Sequence, residues 1–479
     1  MRPYSFLNDL KTIFPLFGEL FIVFSAIYAL PSLLVIFYPW EVTFAKYFLL
    51  PAFISFIVGI IILSFTTHPE KITMRQAMIF ATFSWLLFSL LSTIPFVYIN
   101  NMSFLDSFFE TISAWTGTGL TVMPNIDTAP RILILWRSLM QWVGGMGVVV
   151  LGLLILRYPG LSRALYHAEA RNDIIFPNAV NTSKILFTIY AILTMFGTVI
   201  LYILGMSSFD ALNYAMTGLG TGGMAPHTSS VAYYSSLTIH VAVIILMILG
   251  ATNFATIYYA STKRSPKEFL KDKQFVALLL IPLAFAVVYY YPIYGKAITK
   301  TAIVETMFQE FSAITCTGFN TVDITSLPDP AKVALSFLMI IGGSSGSTAG
   351  AIKIIRFLIL LAAIRWLIKK NTYPESAIMP IRFNGKVIKE EAVLQALSYS
   401  LLYLGILSIG TIITMMYLNV PFVDALFENA SAIGNVGLSA GITSPSTPPL
   451  IKILFIIEML LGRLEIFTFL VAIAAILRR

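Results

Sequence analysis

The chain is poor in nearly everything a water-facing protein needs. Only 11% of its 479 residues are charged, against about a quarter in soluble domains, while 58% are hydrophobic and the mean hydropathy is +0.85. So few charges cannot dress a surface for water, and the composition reads as a polytopic membrane protein solvated by lipid. One cysteine, Cys316, excludes a disulfide framework and a cysteine-rich metal centre. The four histidines, His68, His167, His227 and His240, sit in separate segments without the i, i+4 spacing of paired helical ligands. No nucleophile–base set can be assembled at membrane depth, so neither catalysis nor a bound cofactor is expected. The net charge of +8 does not imply nucleic acid, since no basic patch carries interleaved aromatics.

Long apolar runs dominate instead. Ten are long enough to span a bilayer: 12–39, 44–66, 76–100, 131–157, 183–205, 231–260, 274–294, 331–368, 392–418 and 449–477. The first follows Asp9 and continues too long for a cleaved signal peptide, so it reads as a retained helix. An even number places both termini on one side. Arg157, Arg163, Arg171 and Lys184 fall in one connection, Lys263 to Lys273 in a second, and Arg365 to Lys389 in a third. The opposite connections hold few basic residues, such as Lys296, Lys300 and Lys332. By the positive-inside rule the basic connections and both termini are cytoplasmic.

The outward connections contain a repeat that aligns without gaps: DSFFETISAWTGTGL from Asp106, DALNYAMTGLGTGGM from Asp210, ETMFQEFSAITCTGF from Glu305 and DALFENASAIGNVGL from Asp424. Each acid precedes a glycine by thirteen positions: Gly119, Gly223, Gly318 and Gly437. Seven positions after the acid stands Ser113, Thr217, Ser312 or Ser431. A further glycine recurs 24–27 residues after each anchor, at Gly144, Gly250, Gly342 and Gly462. The unit is therefore span, half-helix, glycine-bearing loop, span, repeated four times behind two extra helices.

The residues dictate the physics of each unit. The acid stands where a helix N-cap or first turn falls, complementing the dipole. The helix formers after it are too few to cross a bilayer. Non-helical backbone at membrane depth survives only when buried in protein or lining water. Four such loops on one axis satisfy that condition, with carbonyls replacing the hydration of a cation. The half-helix C-termini favour positive charge at the same place, and glycine permits backbone angles that a side chain resists.

These four loops, the two leading helices, the Gly/Ser-rich break at 342–350 and the closing MLLGRLEIFTFL resemble the Trk/Ktr/HKT superfamily of potassium transporters, most closely its TrkH type. The resemblance implies an all-α polytopic membrane protein in a pseudo-fourfold arrangement. Two extra helices (1–70) precede four helix–pore loop–helix repeats at 71–175, 176–265, 266–375 and 376–479. It implies a K⁺ filter of Gly117, Thr118 and Gly119; Thr221, Gly222 and Gly223; Cys316, Thr317 and Gly318; and Asn435, Val436 and Gly437. Glycine at all four anchors goes with K⁺ over Na⁺ in this superfamily. It also implies a homodimer in the cell (plasma or inner) membrane, and a cytosolic RCK-domain partner that carries the regulatory nucleotide. Passive channel and ion-coupled symport are both open at this stage.

Several charges lie inside the spans. Arg463 directly follows Gly462, and an ionisable residue at that depth is costly and functional by default. The resemblance places it below the filter as a barrier to cations. The competing reading pairs it with Glu458 or Glu465, at spacings that do not bring helical neighbours together. Glu110 and Glu428 are expected to tie half-helices to their neighbours. Lys353 and Arg356 read equally as gate elements or as inner-boundary residues.

The stretch GGSSGSTAG, Gly342, Gly343, Ser344, Ser345, Gly346, Ser347, Thr348, Ala349 and Gly350, interrupts one overlong run. It is no phosphate loop, because no Gly-Lys-Ser/Thr follows. Unbroken helix over 331–367 would be about 55 Å long against a core of about 30 Å. The run is therefore expected to break just below the filter, as a flexible gate beside Arg463.

Overall fold

The computed structural model describes residues 6–67, 69, 72–147, 179–374, 379–464 and 466–477. It is mostly helical. Two long helices, α1 (Phe6–Ala29) and α2 (Val42–Phe65), pack against each other at the N-terminal end. They meet through small residues, since a Cβ at Gly59 would stand 2.8 Å from the Gly18 carbonyl. The first repeat supplies α3 (Met74–Leu91), α4 (Thr93–Ile99), the half-helix α5 (Phe104–Thr116) and α6 (Arg131–Met146). The second supplies α7 (Ala179–Ile203), the half-helix α8 (Ser208–Leu219), α9 (Leu237–Ala251) and α10 (Phe254–Thr262). After the short α11 (Lys267–Lys271), the third supplies α12 (Lys273–Tyr294), the half-helix α13 (Lys300–Ile314), α14 (Asp329–Ile340) and α15 (Ile354–Lys370). The fourth supplies α16 (Glu390–Leu418), the half-helix α17 (Phe422–Gly434), α18 (Pro449–Arg463) and α19 (Ile466–Leu477).

Short 3-10 turns and two short strand pairings accompany the helices. Strand β1 (Ile341–Gly342) runs parallel to β2 (Ile352–Lys353), and β3 (Arg382–Phe383) forms a hairpin with β4 (Lys386–Val387). The leading helices are joined to the first repeat by aromatic packing. Phe24 stacks on Phe88 at 3.4 Å and lies 5.2 Å from Trp115, and Tyr28 lies 5.1 Å from Trp136. The Trp115 indole donates to Ser92 Oγ at 2.9 Å, which satisfies its polar edge in the core.

Among the described residues six continuous helical stretches are long and apolar enough to cross a membrane, with two bent pairs besides. The ten expected spans are corrected at two places. The run 231–260 is not continuous: α9 and α10 meet at 102°. Asn253 Oδ1 accepts the Ala255 N–H at 2.7 Å and starts a new helix there. The run 449–477 likewise bends by 110° between α18 and α19. The run 331–368 is broken between α14 and α15, as its length required. The part of span 131–157 beyond Gly147 lies outside the described residues. So do His68, Arg157, Arg163, His167, Arg171 and Glu465.

Candidate functional site

Each half-helix is 12 to 15 residues long and ends at the start of a glycine-bearing segment. Asp106, Asp210 and Asp424 stand in the first turns of α5, α8 and α17, as expected, while the N-caps themselves are other residues. The caps are Ser103, Ser207 and Thr299, whose hydroxyls accept the N–H groups of Asp106, Asp210 and Ala302. In the fourth, Pro421 holds the cap position without a side-chain bond. The anchor acids also join elements. Asp424 binds Lys332 Nζ of the third repeat at 2.8 Å, and Asp106 binds Lys452 of the fourth. Asp210 accepts from Tyr234 Oη at 2.5 Å and faces His227 at 3.3 Å. Glu305 lies beyond the first turn of α13 and accepts from Tyr294 Oη at 2.7 Å. Lys332 and Lys452 are nearly buried, with side chains 7% and 6% exposed. Sequence reasoning missed both as partners; the one signal was a lysine three residues into an outer helix start.

One bond recurs in all four units. The N–H of Thr118, Gly222, Thr317 and Val436 donates to the carbonyl of Ser113, Thr217, Ser312 and Ser431, at 2.8 to 3.0 Å. It turns the chain back along its own half-helix. The next two turns have left-handed backbone in every unit. Gly117, Thr221, Cys316 and Asn435 have φ of 70°, 48°, 56° and 53°, and Gly119, Gly223, Gly318 and Gly437 have 91°, 73°, 83° and 100°. Three of the first group are not glycine, and asparagine is the one that tolerates this region best. The resemblance put these positions in the filter, but their varied residue types did not announce the left-handed backbone.

The four segments close on one another in order. A Cβ at Gly119 would collide with the Gly222 carbonyl, at Gly223 with Thr317, at Gly318 with Val436, and at Gly437 with Thr118. The ring is thus backbone on backbone, and only glycine fits it. All four glycines line one cavity of about 170 Å³, together with Arg137, His227 and Asp323.

Buried side chains hold the ring from behind. Ser113 Oγ donates to the Leu120 carbonyl at 2.5 Å and Ser312 Oγ to that of Phe319 at 2.6 Å. Ser431 Oγ accepts the Gly437 N–H at 2.9 Å, whereas Thr217 bonds within its own helix. Gln141 of α6 donates to the Gly222 carbonyl at 2.5 Å and accepts the Met224 N–H at 2.9 Å. Asn435 Nδ2 bridges Thr118 Oγ1 at 2.8 Å and the Met459 carbonyl at 2.9 Å. Glu110 receives Arg137 Nε at 2.9 Å and Thr121 Oγ1 at 2.9 Å. Glu428 receives Ser439 Oγ and the amides of Ala440 and Thr443 at 2.8 to 2.9 Å. Both glutamates therefore fasten the strand leaving the ring to its half-helix. Arg137 and Gln141 were not visible in the sequence, because each lies within an apolar run with nothing local to pair with.

Outside the spans, Asp127 accepts from Thr228 Oγ1 at 2.5 Å and lies 3.4 Å from His227 Nδ1, joining the first two repeats. The Thr228 hydroxyl, with its amide and His227, holds the Asp127 carboxyl below the ordinary aspartate value against a partial burial that raises it.

The stretch 342–350 makes many hydrogen bonds. Ser344 N–H donates to the Ala251 carbonyl at 2.9 Å and Ser345 N–H to Gln274 Oε1 at 2.8 Å. Thr348 Oγ1 lies 2.9 Å from the Gly250 carbonyl, 3.1 Å from that of Leu219 and 3.0 Å from Thr221 Oγ1. Gly350 abuts the Gly434 carbonyl so closely that a Cβ would stand 3.0 Å from Asn435 Oδ1. The loop is thus pinned against the inner ends of α8, α9 and α17. Arg463 Nη1 donates to the Thr348 carbonyl at 2.7 Å, and Nη2 to those of Gly144 and, at 3.1 Å, Gly145. Glu458 makes no pair with Arg463, which answers half of the competing reading; Glu465 is outside the described residues. Lys353 binds the Ala349 carbonyl, so it belongs to the loop, whereas Arg356 lies over the Tyr399 ring at 4.0 Å.

Comparison with known proteins agrees with this geometry. Residues 46–478 match the family model for TrkH, a cation transport protein. An uncharacterized cation transporter of Methanocaldococcus jannaschii is 32% identical over 98% of this chain and 96% of its own. The Trk system potassium uptake protein TrkH of Salmonella typhimurium is 29% identical over 95% of this chain and 96% of its own. The crystal structure of the potassium transporter TrkH from Vibrio parahaemolyticus superposes with a TM-score of 0.84 at 26% identity, covering 96% of this chain and 98% of that one. With a family match across most of its length and the same fold, the chain belongs to the TrkH family of cation transport proteins, as a multi-pass membrane protein.

Proposed function

We propose that the protein takes up K⁺ across the cell membrane through the ring formed by residues 117–119, 221–223, 316–318 and 435–437. The observation that carries this reading is the closure of four backbone segments, each with left-handed φ at alternate residues. Such alternation points successive carbonyls to one side, where they replace the hydration shell of a monovalent cation. The Salmonella and Vibrio relatives, both potassium transport proteins by name, support K⁺ as the cargo. The loop 342–350 with Arg463 is the gate: it lies against the inner ends of the half-helices α8 and α17 and brings a fixed positive charge there.

The protein acts as a homodimer with both termini cytoplasmic, and a cytosolic RCK-domain ring bearing the nucleotide controls the gate. The basic residues at 263–273 and 365–389 support that orientation. The test is flux into liposomes carrying purified protein, for K⁺, Rb⁺, Na⁺ and Li⁺, with and without a proton gradient. K⁺ and Rb⁺ are expected to enter, and their failure to permeate would overturn the reading.

A further inference from the structure

At the basic end of the molecule two adjoining cavities, of about 570 and 700 Å³, open between the start of α12, α15 and the β3–β4 hairpin. They share Lys273, Phe383 and Asn384. Every ionisable residue described on the wall of the 570 Å³ cavity is a cation: Lys273, Arg365, Lys369 and Arg382. Among the described residues none of the four has an ion pair. Arg365 and Lys369 stand one turn apart on α15 and project to the same side. Four uncompensated like charges around one recess repel each other, and an anion seated among them relieves that repulsion.

The rest of the wall is apolar. Leu358, Leu361 and Phe383 line it, with the Trp366 ring fixed by a bond from its indole N–H to the Met379 carbonyl at 2.7 Å. That surface continues outward on α15 through Ile364, Leu367 and Ile368, which are 51 to 64% exposed. A soluble phosphate would use the cations and leave the apolar wall wet. A phospholipid uses both, with its phosphate among the cations and its chains along α15.

The neighbouring residue links this recess to the loop. Gln274, which follows Lys273 at the start of α12 and lines the adjoining cavity, accepts the Ser345 N–H through Oε1 at 2.8 Å. We propose that the 570 Å³ cavity binds the phosphate headgroup of an anionic phospholipid, and that its occupancy steadies the loop 342–350 through Lys273 and Gln274.

Trp366 reports on the site directly. Protein in mixed micelles is titrated with brominated phosphatidylglycerol or brominated phosphatidylcholine, and the Trp366 signal is taken as the difference from Trp366→Phe. Phosphatidylglycerol is expected to quench it at a several-fold lower mole fraction. The preference is lost in the triple variant Arg365→Gln, Lys369→Gln, Arg382→Gln, kept in Arg365→Lys, Arg382→Lys, and kept in Lys296→Gln, Lys300→Gln at the opposite end. Rubidium flux is expected to differ several-fold between phosphatidylglycerol and phosphatidylcholine vesicles, and to lose that difference in the triple variant. Equal quenching by the two lipids, or a preference that survives the triple variant, overturns the site. Relief of quenching by millimolar glycerol phosphate overturns the lipid assignment in favour of free phosphate. Lipid-independent flux alongside intact quenching overturns the link to the loop.

Discussion

The guanidinium of Arg463 donates to the Thr348 carbonyl at 2.7 Å, so the end of α18 and the middle of the loop 342–350 form one hydrogen-bonded unit. The second arm of the same side chain reaches the carbonyls of Gly144 and Gly145 at the end of α6. One arginine thus joins the first, third and fourth repeats beneath the ring. Replacing it with alanine removes both a fixed positive charge beneath the ring and the pin of the loop. Arg463→Ala is expected to raise rubidium flux roughly tenfold, equivalent to about 1.4 kcal/mol off the barrier. A monodisperse variant with unchanged flux in liposomes would sink the gate assignment.

Thr348 is the loop's other anchor, through its hydroxyl and the carbonyls of Gly250 and Leu219. Deleting residues 345–347 shortens the loop while leaving Thr348 in the chain. Flux is expected to rise and control by the cytosolic partner to weaken, both read in the same vesicles with and without the partner. If neither changes, the loop is not the moving part.

Gly119 has φ of 91° and abuts the Gly222 carbonyl. A serine there is strained in its backbone and forces the neighbouring carbonyl aside. The preference for K⁺ over Na⁺ is expected to fall about tenfold in Gly119→Ser, which corresponds to ~1.4 kcal/mol. Competition of Na⁺ with rubidium uptake measures it, and unaltered selectivity would contradict a filter at this ring.

The Asp106–Lys452 pair closes the fourth repeat onto the first with a nearly buried lysine. Breaking a buried pair costs about 3–5 kcal/mol, and the partial exposure of Asp106 lowers the expected value to about 1–3 kcal/mol. Lys452→Met and Asp106→Asn should each lower the melting temperature, and the double variant should lose less than their sum. A strictly additive double-mutant cycle would show that the two side chains do not interact.

Asp127 joins the outer loops of the first two repeats, and Thr228 holds its carboxyl below the ordinary value. A depressed acid stabilises the fold above its unfolded pKa, about 3.9, and loses that contribution as pH falls through the lower folded value. The protection of the amides at 227–231 against hydrogen exchange, relative to their intrinsic rates, is expected to fall as pH drops below about 4. In Asp127→Asn that pH step should be absent. A step of the same size in the variant would assign it to another group.

Much of the arrangement was legible in the chain because it rests on local requirements. A glycine is demanded wherever φ is positive and a neighbouring carbonyl stands in the place of a Cβ, and this occurs at Gly119, Gly223, Gly318 and Gly437 alike. The overlong run 331–368 had to break because helix length and bilayer thickness disagree. The bend after Ala251 was not legible, since the apolar run continues through Phe254, Ile257 and Ala260 and only Asn253 marks the new start.

Composition, span length and the spacing of acid, hydroxyl and glycine are properties of short segments, and they determined a multi-pass membrane protein with four glycine-bearing segments. What joins the units depends on which segments become neighbours, and only the tertiary structure decided that. Asp106 meets Lys452 across 346 positions, Asn435 meets Thr118 across 317, and Arg463 meets Gly144 across 319. Such pairs leave no periodicity in the sequence. They are fixed when the ring closes, because a polar group buried in an apolar interior must find its partner there.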